Sequence, residues 1–282
     1  MTPMLTLPQL LKHQGRRIRR RKLRPTRPSR AAEAAYRADL LDLVAQMHAA
    51  VLAEVMPVLR AEPALTRDAP ADGGGSFGLS FVEAVERSLS AASRRFGGID
   101  QWAARVAAAA AGRVDKQATG TIASSVKSAF GLDIGPMLAM SDVRSAISLA
   151  KVTNVQLIKS VHSTYFDKIG NAVLSGVTQG RRASDLAEDI QKITGVTESR
   201  AKFIARDQTA KMNSAITKAR HQELGLTEYT WQTAGDERVR DTHAEHDGKV
   251  FRWDDPPADT GHPGEDYNCR CVAIPYVKID DE

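Results

Sequence analysis

Residues 236–253 read DERVRDTHAEHDGKVFRW, and residues 254–277 continue as DDPPADTGHPGEDYNCRCVAIPYV. No other part of the sequence concentrates histidine, cysteine, aspartate and arginine in this way. The stretch contains the only two cysteines of the chain, which are separated by a single arginine. Such a segment can bind a metal, carry a catalytic site, or form a small fold that needs these residues for packing.

The hydrophobic pattern around this stretch predicts a short β-sheet. Residues 228–234, EYTWQTA, alternate as a strand does, and two further strands are indicated by VFRW and CVAIPYV. Asp247-Gly248 before VFRW is a turn signal. The residues between the first two strands can form one or two helical turns with Asp236 as the cap. We therefore expect residues 228–282 to form a small α+β unit.

Upstream of this unit, apolar side chains at three- and four-residue spacing predict long helices. Residues 31–60 form the first helix, with Pro57 marking its end, and residues 61–78 form a Pro/Gly-rich linker. Residues 79–140 are predicted to be a helical region, and residues 141–227 a second one. The predicted fold class is thus mainly α, with long helices followed by a short β-sheet in a small C-terminal α+β unit.

Local signals divide the second helical region. Ser141 or Asp142 can cap its first helix. A short helix is predicted to start at Ser184 and to stop at Gly195. A further helix is predicted to start at Thr197.

The charge of the chain is distributed unevenly. The 282 residues include 39 Lys and Arg against 34 Asp and Glu, a formal charge of +5, yet residues 1–30 hold ten of the basic residues and no acidic one. We expect residues 1–30 to be a flexible basic arm that is attracted to nucleic acid or to an acidic protein surface, the alternative being a solubilising tail. Aromatic residues for base stacking are absent there, so phosphate contact is expected. The residues predicted to bind DNA or a partner are Arg16, Arg17, Arg19, Arg20, Arg21, Lys22, Arg24 and Arg27.

Other features of the sequence indicate the cellular compartment. The sequence has no stretch of about 18 apolar residues, so neither a membrane span nor a membrane partner is expected. The basic N-terminus lacks the apolar block and cleavage site of a secretory signal. A disulfide between cysteines this close would be strained, which favours a reducing compartment.

A candidate metal site consists of His243, His246, Cys269 and Cys271, because histidine and cysteine are the usual ligands of zinc. The two histidines would share one face of a helix. A typical structural zinc site has a pair of ligands at both ends of its sequence motif, whereas this chain has a single Cys-x-Cys pair. No cofactor is therefore expected, and zinc stays open as the metal.

The alternative interpretation of the same cluster is structural. Cys269 and Cys271 would pack as small apolar side chains, while His243 and His262 would be hydrogen-bonded. Arg270, between the cysteines, would face the other way and pair with Asp241 or Glu265.

Catalysis is the third interpretation. A metal-dependent nuclease, or another phosphodiester-acting enzyme, could use Asp241, His243, His246 and the two cysteines. No recognised metallonuclease spacing, P-loop, dinucleotide fingerprint or Gly-x-Ser-x-Gly motif occurs, so no enzymatic activity is expected.

Several short motifs follow one another in the C-terminal half. They are SRAKFIARDQTAKMNSA at 199–215, DERVRDTH at 236–243, Asp247-Gly248, Pro256-Pro257 and PGEDYNCRC at 263–271. In this order and spacing, residues from about 140 to the end resemble the phage Mu F-like minor head protein family, the phage head morphogenesis proteins. The first motif looks like the family helix RA-x-x-IAR-x-(E/Q)-T, and the second like its Asp-x-x-x-Arg-x-x-His segment. The residues that carry the structural motif are Arg206, Asp236, Arg240, His243, Asp247, Gly248, Cys269, Arg270 and Cys271.

This resemblance implies a minor capsid protein of a tailed bacteriophage that acts in head morphogenesis. Its implied partners are the portal protein, the major capsid or scaffold protein, and double-stranded DNA. Its implied location is the virion, in the capsid interior near the portal, after a stage in the host cytoplasm during assembly. A DNA-binding protein with a basic arm and no connection to virions is the competing interpretation.

Overall fold

The computed structural model describes residues 5–18, 20–61, 79–140 and 143–279. Helices dominate and a small antiparallel sheet lies near the C-terminus, which confirms the predicted fold class. Residues 62–78 of the predicted linker and the two candidate cap residues, Ser141 and Asp142, lie outside the described residues. The elements in chain order are α1 (Leu7–His13), β1 (Arg21–Lys22), α2 (Arg30–Ala61), α3 (Leu79–Arg94), α4 (Ile99–Phe130), α5 (Gly135–Met140), α6 (Arg144–Thr178), α7 (Ala183–Glu223), β2 (Glu228–Gln232), α8 (Asp241–Glu245), β3 (Val250–Arg252) and β4 (Val272–Val277).

Helix α2 covers the helix predicted at residues 31–60 and continues past Pro57 to Ala61. By length and composition alone, α2 would also be long and apolar enough to cross a membrane. Its apolar stripe is used for packing, because side chains at helical spacing such as Tyr36 and Met47 have no exposed surface. Packing of this stripe therefore accounts for part of its apolar composition.

Helix α7 is one continuous helix, so the predicted break at Gly195 is wrong. A glycine inside a helix costs only about 1 kcal/mol relative to alanine, which is too little to end a helix that buries residues on both sides. Thr197, which was predicted to start a new helix, instead donates its hydroxyl to the carbonyl of Ile193 at 2.8 Å, as a residue within a helix does.

The sheet has the strand order β1-β4-β2-β3, and all its pairs are antiparallel. Strands β2, β3 and β4 confirm the three strands predicted from the hydrophobic pattern. Trp231 in β2 lies opposite Ala273 in β4, and Tyr229 lies opposite Phe251 in β3. The buried residues of this small core are Tyr229, Trp231, Trp253, Cys269, Cys271 and Ala273.

The N-terminal segment differs from the flexible arm that its charge predicts, because its described residues are packed. Thr6 caps α1 with a capping box, and Leu7 donates its backbone N–H to the carbonyl of Leu224 at 2.9 Å. Strand β1 pairs with β4, and the backbone N–H of Leu23 reaches Pro275 O at 2.8 Å. The physical reason is that leucines before and among the basic residues are buried while the charges face solvent. The core that receives them is formed by Leu7, Leu11, Leu23, Ile122, Val126, Phe130, Ile134, Leu138, Leu224, Leu226, Val277 and Ile279.

The chain divides into two compact units that each gather segments distant in sequence. Unit 1 comprises Met1–Ala34, Ala108–Val152 and Arg206–Glu282, and unit 2 comprises Ala35–Ala107 and Thr153–Ala205. Unit 1 contains the whole described sheet and both cysteines. The domain boundaries predicted from the sequence divide the chain into consecutive segments, whereas these units combine separate ones. The predicted boundaries stay predictions.

Polar pairs are buried between the helices of unit 2. The Tyr36 hydroxyl donates to Asn154 Oδ1 at 2.8 Å, and both side chains are fully buried. Burial, assisted by the charge of Asp39, raises the pKa of Tyr36. A second pair joins the Tyr165 hydroxyl to Thr194 Oγ1 at 3.2 Å. Such satisfied pairs fix which helix faces meet, since an unpaired partner would be costly.

We predict that Gly176→Ala destabilises the protein. A Cβ at Gly176 in α6 would lie 2.1 Å from Leu186 Cδ2 in α7, and Leu186 is itself buried. Overpacking of this kind costs about 1–3 kcal/mol of unfolding free energy, which urea denaturation would measure. Gly170→Ala on the same helix is the matched control, because a Cβ there meets nothing within 4 Å. Equal stability of the two variants would contradict the prediction.

Candidate functional site

Three of the four residues of the predicted metal site come together in unit 1. Helix α8 carries His243, Cys271 directly precedes β4, and Cys269 lies two residues before Cys271. The His243 Nδ1 atom lies 3.5 Å from the sulfur of Cys269 and 3.5 Å from that of Cys271. The three side chains are buried, and their potential ligand atoms all lie within 4.8 Å of one another. This arrangement is a candidate metal centre.

The ring of His243 is held in orientation from the side opposite the sulfurs. Its Nε2 atom lies 3.2 Å from Asp266 Oδ2, and the same carboxylate oxygen lies 3.0 Å from the guanidinium of Arg240. Trp231 meets the imidazole edge-on, with ring centroids 5.5 Å apart. With Nε2–H donated to Asp266, the lone pair of Nδ1 faces the two sulfurs.

Backbone groups converge on the sulfur of Cys269. The N–H groups of Gly264 and Cys271 each donate to it at 3.4 Å. Gly264 has a φ of +88°, and a Cβ there would lie 3.0 Å from Ser214 Cβ, so this close approach needs glycine. The hydrogen bond from the Cys271 thiol lowers the pKa of Cys269 to about 6, while the same pairing and burial raise the pKa of Cys271.

His246, the fourth predicted ligand, lies outside this cluster. Its Nε2 atom pairs with Asp259 Oδ1 at 3.1 Å, and its ring packs edge-on against Trp231 and Phe251. Desolvation works to raise the pKa of Asp259, but its hydrogen bonds, including the one from His246, lower it overall. The structure thus groups His243 of α8 with the two cysteines, whereas His246, which directly follows α8, pairs with Asp259 instead.

His262 is hydrogen-bonded within the small core, as the structural interpretation expects. Its Nδ1 atom lies 2.9 Å from the hydroxyl of Tyr229, and its backbone N–H donates to Glu265 Oε2 at 2.8 Å. Burial lowers the pKa of His262, which favours the neutral imidazole. Tyr229 was not singled out from the sequence, where it is only one of the alternating residues of a strand.

The Asp-x-x-x-Arg-x-x-His motif connects loops within unit 1. Asp236 forms a bidentate pair with Arg270, and this pairing is the main reason that the pKa of Asp236 is lowered. Arg270 was expected to pair with Asp241 or Glu265; that prediction is wrong, because Asp236 is the carboxylate that lies beside it. Arg240 also donates to the carbonyl of Tyr267 at 2.6 Å.

Asp247 and Gly248 form the predicted turn before β3. Asp247 Oδ1 accepts hydrogen bonds from the backbone N–H of Thr233 at 2.7 Å and from its hydroxyl at 3.0 Å. Gly248 has a φ of +75° and donates its N–H to the carbonyl of Trp231 at 2.9 Å. Both residues therefore connect the turn before β3 to the C-terminal end of β2 by hydrogen bonds.

Asp207 is a site residue that sequence reasoning missed. Its side chain is buried and accepts the backbone N–H of Asn268 at 2.7 Å. Asn268, directly before Cys269, has a positive φ of 53°, which asparagine tolerates. Lys211 Nζ lies 3.0 Å from the other carboxylate oxygen of Asp207. The available signal was its place in the IARDQT motif.

The predicted DNA-binding residues lie on the packed N-terminal segment. Arg19 lies outside the described residues, and the rest have exposed side chains. Arg20 stacks on Tyr276, with its guanidinium carbon 3.9 Å from the ring centroid, and the backbone N–H of Arg24 donates to Ser125 Oγ at 2.7 Å. Asn213 Nδ2 donates to the carbonyl of Thr26 at 2.9 Å. The segment thus presents positive charge from a fixed backbone.

A cleft of about 240 Å³ lies beside this segment in unit 1. Four arginines contribute to its walls, together with Glu33 and Asp207. Arg206 of the structural motif is one of them, and it is exposed. The cleft connects the basic segment with the loop that carries the cysteines. The arginines are Arg27, Arg30, Arg206 and Arg270.

We predict that Asp207→Ala lowers the unfolding free energy by about 2 kcal/mol, because it removes a charged acceptor from the Asn268 N–H and from Lys211. Urea denaturation measures the change. Glu198→Ala on the same helix is the control; it removes an exposed pair with Lys202 at 3.6 Å and should cost less than about 0.5 kcal/mol. A destabilisation no larger for Asp207→Ala than for Glu198→Ala would contradict the anchoring role.

Comparison with known proteins shows relatives of part of this chain. A protein of Haemophilus influenzae without a characterised function is 43% identical over 171 residues, which are 60% of this chain and 38% of that protein. A protein of Enterococcus faecalis named NAD(+)--arginine ADP-ribosyltransferase EFV is 28% identical over 146 residues, which are 45% of this chain and 30% of that protein. The chain therefore spans well under half the length of these two relatives. No solved structure matches it significantly.

The family comparison covers the region in which the site lies. Residues 167–274 match the family described as Phage Mu protein F like protein. The match includes the helix motif, the Asp-x-x-x-Arg-x-x-His segment and both cysteines, and it confirms the resemblance seen in the sequence. The similarity to the Phage Mu protein F like family is therefore a finding for residues 167–274 of this chain.

Proposed function

We propose that the chain is a minor capsid protein of a tailed bacteriophage that acts in head morphogenesis. The match of residues 167–274 to the Phage Mu protein F like family is the observation that carries this proposal. In the proposal, the protein resides in the capsid interior near the portal, after a stage in the host cytoplasm. Its partners are the portal protein, the major capsid or scaffold protein, and packaged double-stranded DNA.

The exposed basic residues of the N-terminal segment support the DNA contact. Leu23 and Thr26 are buried and hold the segment in place, while neighbouring basic side chains such as Arg21, Lys22 and Arg24 are exposed. A duplex presents one negative charge per about 1.7 Å of its axis, so it can meet several of these side chains at once. Because the backbone is already ordered, binding would not carry the entropy cost of ordering a flexible arm.

The arginine-lined cleft supports the same proposal. Arg270 is already paired with Asp236, but three further arginines line the cleft, and one of them, Arg27, belongs to the basic segment itself. Phosphate oxygens are bound well by guanidinium groups, which offer several donors in a planar fork. We infer that the DNA backbone follows the segment towards this cleft.

The competing nuclease hypothesis receives less support. A catalytic metal must be reached by a phosphodiester, whereas His243 and both cysteines are buried. Asp241, which that hypothesis would also use, lies at the start of α8 and is exposed. The activity named for the Enterococcus relative is that of a protein of which only 30% is matched by this chain.

The DNA contact predicts a specific salt dependence. The variant Arg16→Gln/Arg17→Gln/Lys22→Gln removes three exposed charges whose side chains are outside the core. In gel-shift titrations at several salt concentrations, the slope of log K against log salt should become less negative by about 0.9 for each phosphate that the variant no longer neutralises. An unchanged affinity and slope would contradict the proposed binding of DNA by this segment.

A charge-matched variant controls for the net charge. Lys168→Gln/Lys192→Gln/Lys202→Gln removes three exposed lysines from unit 2. Non-specific attraction by the whole protein would weaken equally in both variants. The proposed local binding requires a clearly larger drop in DNA affinity for the N-terminal variant.

The assignment to phage heads has its own test. Mass spectrometry of particles purified from a lysate of the phage that encodes the chain should detect its peptides, and sedimentation after co-expression should place it with portal rings. Its absence from both the particles and the rings would contradict head association, whatever the DNA result. A plasmid-nicking assay on the same protein should show no metal-dependent cleavage; cleavage that disappears in His243→Ala would favour the nuclease instead.

A further inference from the structure

We propose that His243, Cys269 and Cys271 bind one zinc ion through Nδ1 and the two sulfurs, and that this ion is a structural centre of unit 1. The site goes beyond the proposed function, because neither head assembly nor DNA contact requires a metal. Its ligand set also differs from the one that the sequence predicts, since it excludes His246.

The distances between the donor atoms fit a tetrahedral zinc ion. Zinc bonds are about 2.3 Å to sulfur and about 2.0–2.1 Å to nitrogen, so tetrahedral geometry separates the two kinds of atom by about 3.6 Å. His243 Nδ1 lies 3.5 Å from each of the two sulfurs. Both edges of the ligand triangle that involve nitrogen therefore already have the length that a shared zinc ion would impose.

Hydrogen bonding alone accounts less well for this geometry. The Nδ1 atom of a neutral imidazole offers one lone pair, which accepts one S–H at a time. Two sulfurs nevertheless lie at the same 3.5 Å distance from it. A cation on the lone pair satisfies the nitrogen and both sulfurs together.

The surroundings supply what a bound zinc ion needs beyond its ligands. Asp266 lies 3.2 Å from the Nε2 atom of His243, the carboxylate–histidine arrangement that orients a metal-bound imidazole and raises its basicity. Arg240 lies 3.0 Å from the same carboxylate and balances its charge. The N–H groups of Gly264 and Cys271 donate to the Cys269 sulfur, which stabilises a thiolate.

Charge balance points in the same direction. Two buried thiolates would be costly by themselves, and one divalent cation compensates both. With a neutral histidine, the zinc ion and its two thiolates sum to zero charge. The nearby Asp266 and Arg240 form a pair that is also neutral in sum.

Burial favours a structural role for the metal. The three ligand residues are 2%, 4% and 6% exposed in the order His243, Cys269, Cys271. Sulfur-rich, closed centres are typical of structural zinc, whereas catalytic zinc keeps a position open to substrate. The ion would tie α8 to the loop that precedes β4, two segments more than twenty residues apart in the chain.

The first experiment measures metal content in the full chain, purified without a polyhistidine tag and under reducing conditions. Elemental analysis should find about one equivalent of zinc, or the reduced chain should take up about one equivalent in competition with a chromophoric chelator. Absence of zinc together with no uptake would overturn the proposal. This test uses no variant, so it does not depend on the folding of a mutant.

Variants then test the ligand set. His243→Ala and Cys271→Ser should each reduce bound zinc to near zero, whereas His246→Ala should retain it, because His246 pairs with Asp259. Circular dichroism would show whether each variant keeps its helices. Loss of zinc in His246→Ala with retention in His243→Ala would overturn the assignment.

Cobalt substitution reports directly on the donor atoms. A Co²⁺-loaded chain should show thiolate-to-cobalt charge-transfer absorption, reduced in Cys269→Ser and in Cys271→Ser, and unaltered in His246→Ala. Asp266→Asn keeps all three ligands and should weaken zinc binding by about 10–100-fold. Absence of the charge-transfer bands in the cobalt-loaded chain would overturn sulfur ligation.

Discussion

The loop between β3 and β4 must be held in place without a helix or strand of its own, and the site depends on this constraint. Residues 253–271 contain no regular element, yet both cysteines and His262 lie in or at the end of it. Two side chains of α7 hold the loop: Asp207 accepts the N–H of Asn268, and Ser214 donates to the carbonyl of Pro263 at 2.6 Å. A rigid helix therefore supplies the order that the loop lacks, because backbone groups buried with the loop find partners on it.

Patterns that repeat along the chain predicted the fold class well. Strands β2, β3 and β4 follow from alternation and the Asp247-Gly248 turn, both of which are local signals. Strand β1 could not be found in this way, because its two residues are both charged and its partner lies more than 250 residues later. Gly195 misled the helix prediction, since a single glycine costs less than the packing of α7 provides.

The sequence predicted which residue types form the candidate site, but not which individual residues come together in it. Histidine and cysteine indicated a metal, and His243 and His246 were equally good ligands at three-residue spacing. Only the three-dimensional structure, with His243 of α8 beside the sulfurs and His246 directly after α8 beside Asp259, separates them. Asp207 was missed for a related reason: its acceptor role depends on a backbone N–H sixty-one residues away, which leaves no mark in local sequence.

Strand β1 affects how readily copies of the protein aggregate at high concentration. β4 is a buried, mostly apolar strand, and one of its edges pairs with the two charged residues of β1, Arg21 and Lys22, and with the adjoining Leu23. A strand of two charged residues is a poor template for another chain, because it offers few free backbone groups and repels a like-charged copy. The same basic residues that would bind phosphate therefore also oppose edge-to-edge aggregation at this side of the sheet.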